Sequence, residues 1–463
     1  MKSDGGMSSR PERSPLRVAR QALARAGSVK ADVEAYVEYG RTVTVKVFGG
    51  EVESITVAEP RGLGVRAIQE GRTGYAFTSD LSGDGIRRVA QEAADNMRAA
   101  DADESSRLPV ASGEGYPALS GLWRPGVAGT PLSSKVDMAL AAEAAALSLA
   151  DIETVEESVY SDEETHVGIA STAGVETETE QSYCWAYVMA HAGGEGDRQS
   201  GLGFSAGREP DELEPELAGR EAAEKARSLL GARPCPTGSY TVVLDREVVA
   251  ALLSGLVRAL SADAVQKGRS VFSGRLGETV ATPLLSLVDD GLALGGMVTR
   301  PFDGEGVPQR TTSLIEGGVL RSFLHSTYTA FKAGGETRST GNAGRGSYRA
   351  LPAVSATNLV VGAGDGSLQD LLARVGRGLY IDSIAGLHSG VNAISGEISV
   401  GATGRLITDG GFGAPVREVT IATDFAGLLS GVTDLAGDAR WVPLYGSVHA
   451  PSVAVRGVTV SGA

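Results

Sequence analysis

The chain has 463 residues, 42% apolar and 21% charged, with 63 glycines and a formal net charge of −15. That length exceeds one ordinary compact core and points to two domains, and so many glycines beside few aromatics point to tight turns and β-rich architecture. An acidic chain without a basic patch excludes nucleic acid as an expected partner, and the absence of an apolar run of roughly 20 residues excludes a membrane-spanning helix.

The first residues, MKSDGGMSSRPERSP, are polar and lack the apolar run of a secretory signal, so residues 1–14 read as a disordered tail. Cys184 and Cys235 lie in unrelated contexts, which fits a reduced compartment and a cytoplasmic protein. LRVARQALARAG predicts a helix over about 15–26, with Gly27 as its stop. Alternating segments follow up to about residue 79, and the pairs Gly49-Gly50 and Glu70-Gly71 mark turns of a meander. Ile86, Val89, Ala90 and Ala93 have helical spacing and predict a helix over 83–99. Residues 105–134 lack periodicity and read as a long connection. A helix is expected from about Ser134 to Asp151, then strands with a hairpin at Thr172-Ala173-Gly174. PDELEPELAGREAAEKARSLLG reads as one further helix ending at Gly231.

The stretch GARPCPTG at 231–238 is the best domain boundary. After the strand YTVVLD, Asp245 is a natural N-cap for REVVAALLSGLVRAL, whose apolar stripe is made for packing. Beyond residue 270 short strands and glycine turns dominate, with one helix near 367–377. The expected fold is α+β in two domains. Residues 15–232 form an α/β unit with an antiparallel sheet and helices, and residues 237–463 form a β-rich sandwich or barrel.

Candidate chemistry is sparse. The histidines, His166, His191, His325, His388 and His449, are too far apart in sequence for a local zinc motif, so a metal site would need distant segments to converge. In GLHSGVNAISGEISVGATG, His388 and Ser389 with nearby Asp382 supply the residue types of a catalytic triad. Adjacency argues against it, because strand neighbours point to opposite faces, and there is no GxSxG elbow. The plain alternative is a glycine-flanked loop entering a strand. The glycine-rich GLGVRA and GNAGRG are not Walker sequences and read as turns or bulges.

Several segments, taken in order, resemble the TldD/PmbA family. They are GGEVESITVAEPRGLGVRAIQEGRTGYAFTSDL, RSVFSGRLGETVA, PFDGEGVPQRTTSLIEGGVLRSFLHSTYTAFKAG, STGNAGRGSYR, SGEISVGATGRLITDGG and GVTDLAGD. The resemblance implies a two-domain architecture and a role in zinc-dependent peptidase complexes that trim or degrade small peptides, including precursors of modified natural products. The zinc-bearing TldD branch carries His-Glu-x-x-x-His before a VFSG segment and a later cysteine. Counted back from Val271-Phe272-Ser273-Gly274, the ligand and base positions fall on Leu253, Ser254 and Arg258, and no cysteine follows Cys235.

The chain therefore resembles the PmbA branch, also called TldE. This implies a catalytically silent subunit with no cofactor of its own, facing a TldD-like partner that supplies the zinc and sharing a cavity for extended peptide. Asn342, Arg345, His388, Ser389 and His449 are the residues expected to line that cavity. Two other readings stand beside it. One is an autonomous hydrolase or amide-processing enzyme built on His388, Ser389 or His449. The other is a non-enzymatic peptide-binding scaffold.

Overall fold

The computed structural model describes residues 14–27, 30–111, 113 and 115–462. The expected tail lies outside the described residues except for Ser14, whose hydroxyl accepts from the Arg17 amide and caps the first helix.

The N-terminal half is built on one antiparallel sheet. Helix α1 spans Pro15–Arg25 and is followed by β1 Asp32–Phe48, β2 Glu51–Ala58, β3 Arg61–Gln69, β4 Arg72–Thr78 and α2 Gly83–Ala99. Then come α3 Gly126–Gly129, α4 Leu132–Leu147, β5 Ile152–Ser171, β6 Glu176–Ala192, β7 Gln199–Gly207 and α5 Pro215–Ser228. The strand order is β4-β3-β1-β5-β6-β7, with β2 paired to the second half of β1.

Alternation along β1 explains how this sheet is used. Val33, Ala35 and Val37 pack with α1 and α2, and Val43, Val45 and Val47 pack with α4. Successive side chains of a strand leave on opposite faces. Tyr36 accordingly packs with Ile169, Phe302 and Tyr348, so the other face is covered by the C-terminal half. Glu34 shares that face and is directly opposite Arg66 of β3.

In the C-terminal half β8 spans Gly238–Leu244 and α6 spans Arg246–Ala259. Strands Gly411–Asp424, Glu397–Thr408, Gly378–Ala385, β8 and Val453–Ser461 pair in that order, and the last pairs back to the first. This closes a five-stranded barrel. A second sheet runs through Leu287–Asp290, Asn358–Val361 and Ser447–Ala450. One apolar core joins α6, the barrel and the second sheet.

The antiparallel N-terminal sheet with helices and the β-rich C-terminal unit agree with the sequence reading, and α2 and the Asp245 cap fall where expected. Several local readings change. The helix expected over 210–231 is a 3₁₀ turn at Pro210–Glu212 followed by α5. Pro215 explains the break, because proline lacks an N–H and fits only the first turn of a helix. Helix α4 ends at Leu147, short of Asp151, and the connection 105–134 contains α3. Helices Thr327–Ala333 and Phe425–Gly431, capped by Ser326 and Asp424, were not anticipated. Each is too short for periodicity to register. Among the described residues no helix is long and apolar enough to cross a membrane.

Candidate functional site

Helix α6 carries the positions to which the family resemblance draws attention. The Asp245 side chain accepts from the Glu247 amide at 2.8 Å and starts the helix. Val249, Leu252, Leu253 and Leu256 then face a small apolar cavity of about 50 Å³ shared with Leu285 and Leu429. Leu253 is only 9% exposed and belongs to the main core. The Ser254 hydroxyl donates to the Ala251 carbonyl at 2.7 Å, one turn back on its own helix. Arg258 is exposed at the far end.

A hydrocarbon, a hydroxyl bonded to its own backbone and a cation do not make a zinc site, since zinc needs imidazole, thiolate or carboxylate donors. Among the described residues no group of three or more His, Cys, Asp or Glu is placed to hold a metal ion. The residues present do not fit zinc.

The segment around His388 docks on this helix. Residues Leu387–Gly390 form a single helical turn after Gly386, which has φ +82°, and residues 391–396 then lead into the strand Glu397–Thr408. Both His388 and Ser389 are exposed. The Ser389 hydroxyl donates to the Gly386 carbonyl at 3.3 Å and makes no contact with His388. Asp382 accepts from Thr403 at 3.0 Å and lines a different cavity with Lys225 and Glu247. The three triad residue types therefore do not converge. Just beyond the turn, Val391 lies so close to Gly255 of α6 that a Cβ there would come within 2.7 Å of its Cγ1.

A cluster of buried charge lies where the two halves meet. Arg66 donates to Glu34 at 2.6 Å and to Glu305 at 3.0 Å. Arg345 pairs with the other oxygen of Glu34 and donates to the Gly304 carbonyl at 2.7 Å. Each arginine thus bonds to groups from both halves. The remaining Glu305 oxygen accepts from the Thr327 amide at 3.0 Å. Beside it, Asp303 accepts from the backbone amides of Glu305, Val307 and Ala343. Burial, helped by the Glu305 carboxylate, holds the Asp303 carboxyl well above the ordinary carboxylate range. Asn342 is next in this layer and donates to Asp289 at 2.6 Å. Burial pushes Asp289 up to about 6.

The five residues named from the sequence occupy three places. Asn342 and Arg345 are in the buried junction, and His388 and Ser389 are on the exposed turn beside α6. His449 packs against Trp441 in a tilted arrangement with ring centroids 5.1 Å apart. Sequence reasoning missed Glu34, Arg66, Asp303 and Glu305. The available signal was a charge inside an apolar run, VEAYV for Glu34 and GVRAI for Arg66. A strand buried on both faces places such a charge inside, where it requires a partner.

Three family models match in order. PmbA/TldA metallopeptidase domain 1 covers residues 33–96, the central domain covers 126–230 and the C-terminal domain covers 237–462. The chain belongs to the PmbA/TldD family. It lies on the PmbA branch. One sheet runs through the regions matched by the first two models.

The chain is 28% identical over 449 residues to metalloprotease PmbA of Escherichia coli O157:H7, covering 94% of each chain. It is 29% identical over 430 residues to a metalloprotease of Methanothermobacter thermautotrophicus, covering 89% of this chain and 91% of the other. Among solved structures, a candidate modulator of DNA gyrase from Thermotoga maritima superposes with a TM-score of 0.88 at 28% identity, over 96% of this chain and 99% of that one. TldE of Thermococcus kodakarensis superposes with a TM-score of 0.89 at 20% identity, over 96% of this chain and 100% of that one, and shares the fold.

Proposed function

We propose that the chain is the catalytically silent subunit of a zinc metallopeptidase heterodimer acting on small peptides or peptide-like natural-product precursors. The observation that carries this reading is α6, where Leu253, Ser254 and Arg258 stand at the family's ligand and base positions and Leu253 is buried in the apolar core. The metalloprotease names of the relatives support the reaction class. The exposed, separately bonded Ser389 disfavours an autonomous hydrolase at His388. On this reading the chain guides extended peptide and closes the chamber in the cytoplasm, while a TldD-like partner supplies zinc and the water-activating glutamate.

Co-expression with a partner bearing His-Glu-x-x-x-His provides the test. The complex is expected to hold zinc in the partner and to cleave peptide, and the chain alone to do neither. Zinc-dependent cleavage by the purified single chain would overturn the proposal.

A further inference from the structure

A cavity of about 740 Å³ opens between the two halves, and none of its lining residues belongs to α6 or to the arginine–glutamate junction. Its size is within the roughly 300–1,000 Å³ of small-ligand pockets. The connection at 120–124, the end of β7, the loop at 294–297 and the strand Arg440–Val442 build its walls.

Arg208 braces those walls. It is 9% exposed and donates to the Leu122 carbonyl at 3.1 Å and the Gly296 carbonyl at 2.8 Å. Trp441 is held from two sides. One is the His449 ring, and the other is Gly295, where a Cβ would come within 2.3 Å of the indole Nε1. Phe204 adds a second aromatic surface. Among the described residues the Trp441 indole N–H has no hydrogen bond and the Arg124 guanidinium has no ion pair. Arg124 is exposed and lies over Gly121 of the same wall.

We propose that this cavity binds the carboxylate end of a short peptide whose last residue is large and apolar. A guanidinium presents two parallel donors that match a carboxylate. Arg124 supplies the positive charge for that carboxylate, while the Arg208 guanidinium of the same wall is committed to the Leu122 and Gly296 carbonyls. Trp441 and Phe204 take the apolar side chain, and the indole N–H is left to donate to a peptide carbonyl. Binding occurs on this chain alone and does not depend on a zinc-bearing partner.

Calorimetry on the full chain with acetyl-glycyl-phenylalanine, its C-terminal amide, acetyl-glycyl-glycine and acetyl-phenylalanine tests the site. The phenylalanine acid is expected to bind about tenfold or more tightly than its amide, as for a charge-assisted hydrogen bond. Arg124→Met should erase that preference and Arg124→Lys should keep part of it, both melting like the parent. Gly295→Ala should displace Trp441 and erase the preference for phenylalanine over glycine. Absence of binding at millimolar ligand, equal affinity for acid and amide, or a preference surviving in Arg124→Met overturns the proposal. Equal affinity for acetyl-phenylalanine would overturn the assignment to a peptide.

Discussion

Replacing Arg66 by methionine tests what holds the two halves together. Arg66 donates to Glu34 and Glu305, all three side chains being nearly inaccessible to solvent. After the substitution Glu34 still has Arg345, but Glu305 keeps only the Thr327 amide and has no cation among the described residues. Breaking a buried pair from one side leaves an uncompensated charge and costs about 3–5 kcal/mol. Arg66→Met should therefore lower stability in urea unfolding by that amount.

The double variant Arg66→Met/Glu305→Gln removes both charges, and its neutral side chain still accepts from the Thr327 amide. It should recover most of the loss, because the penalty lies in the orphaned carboxylate rather than in the missing contact. A cost below about 1 kcal/mol for the single variant, or a double variant less stable than the single, would refute a buried charge lock.

Three other outcomes follow from the same geometry. Burial raises Asp382 to about 6, against an ordinary aspartate value near 4. The folded protein therefore binds this proton more tightly than the unfolded chain, and the stability associated with it falls as pH rises through about 6. Asp382→Asn should raise the melting temperature relative to the parent more at pH 8 than at pH 5, and an equal effect at both would contradict this. Leu253→Ala enlarges an apolar cavity in the main core and should cost about 2–4 kcal/mol in denaturant titration, whereas a cost under 1 would mean the site collapses freely. Gly255→Ala would gain about 1 kcal/mol in an open helix, but here the added methyl meets Val391. The expectation is no gain in melting temperature and faster proteolysis within 386–396, and a stabilised, protease-resistant variant would contradict it.

Local signals reached as far as local physics extends. The spacing of Ile86, Val89, Ala90 and Ala93, the Asp245 cap and the turns at Gly49-Gly50 and Thr172-Ala173-Gly174 were legible because a few neighbouring residues determine each. What stands at Leu253, Ser254 and Arg258 was legible too, because a missing zinc donor is a matter of composition at fixed positions. His388-Ser389 supplied the residue types of a catalytic pair that adjacency already disfavoured, and the backbone turns through Gly386 and satisfies Ser389 locally.

The sequence by itself determined the α+β class, most helix and turn positions and which side chains stand at 253, 254 and 258 of α6. Only the tertiary structure decided that Glu34 faces Arg66, that both meet Glu305 and Arg345 from the other half, and that Trp441 and Arg124 share a wall. Glu34 and Arg345 are 311 positions apart, and nothing near either residue encodes the other. Strand register and the burial of both faces of β1 bring them together, and burial then makes their pairing obligatory.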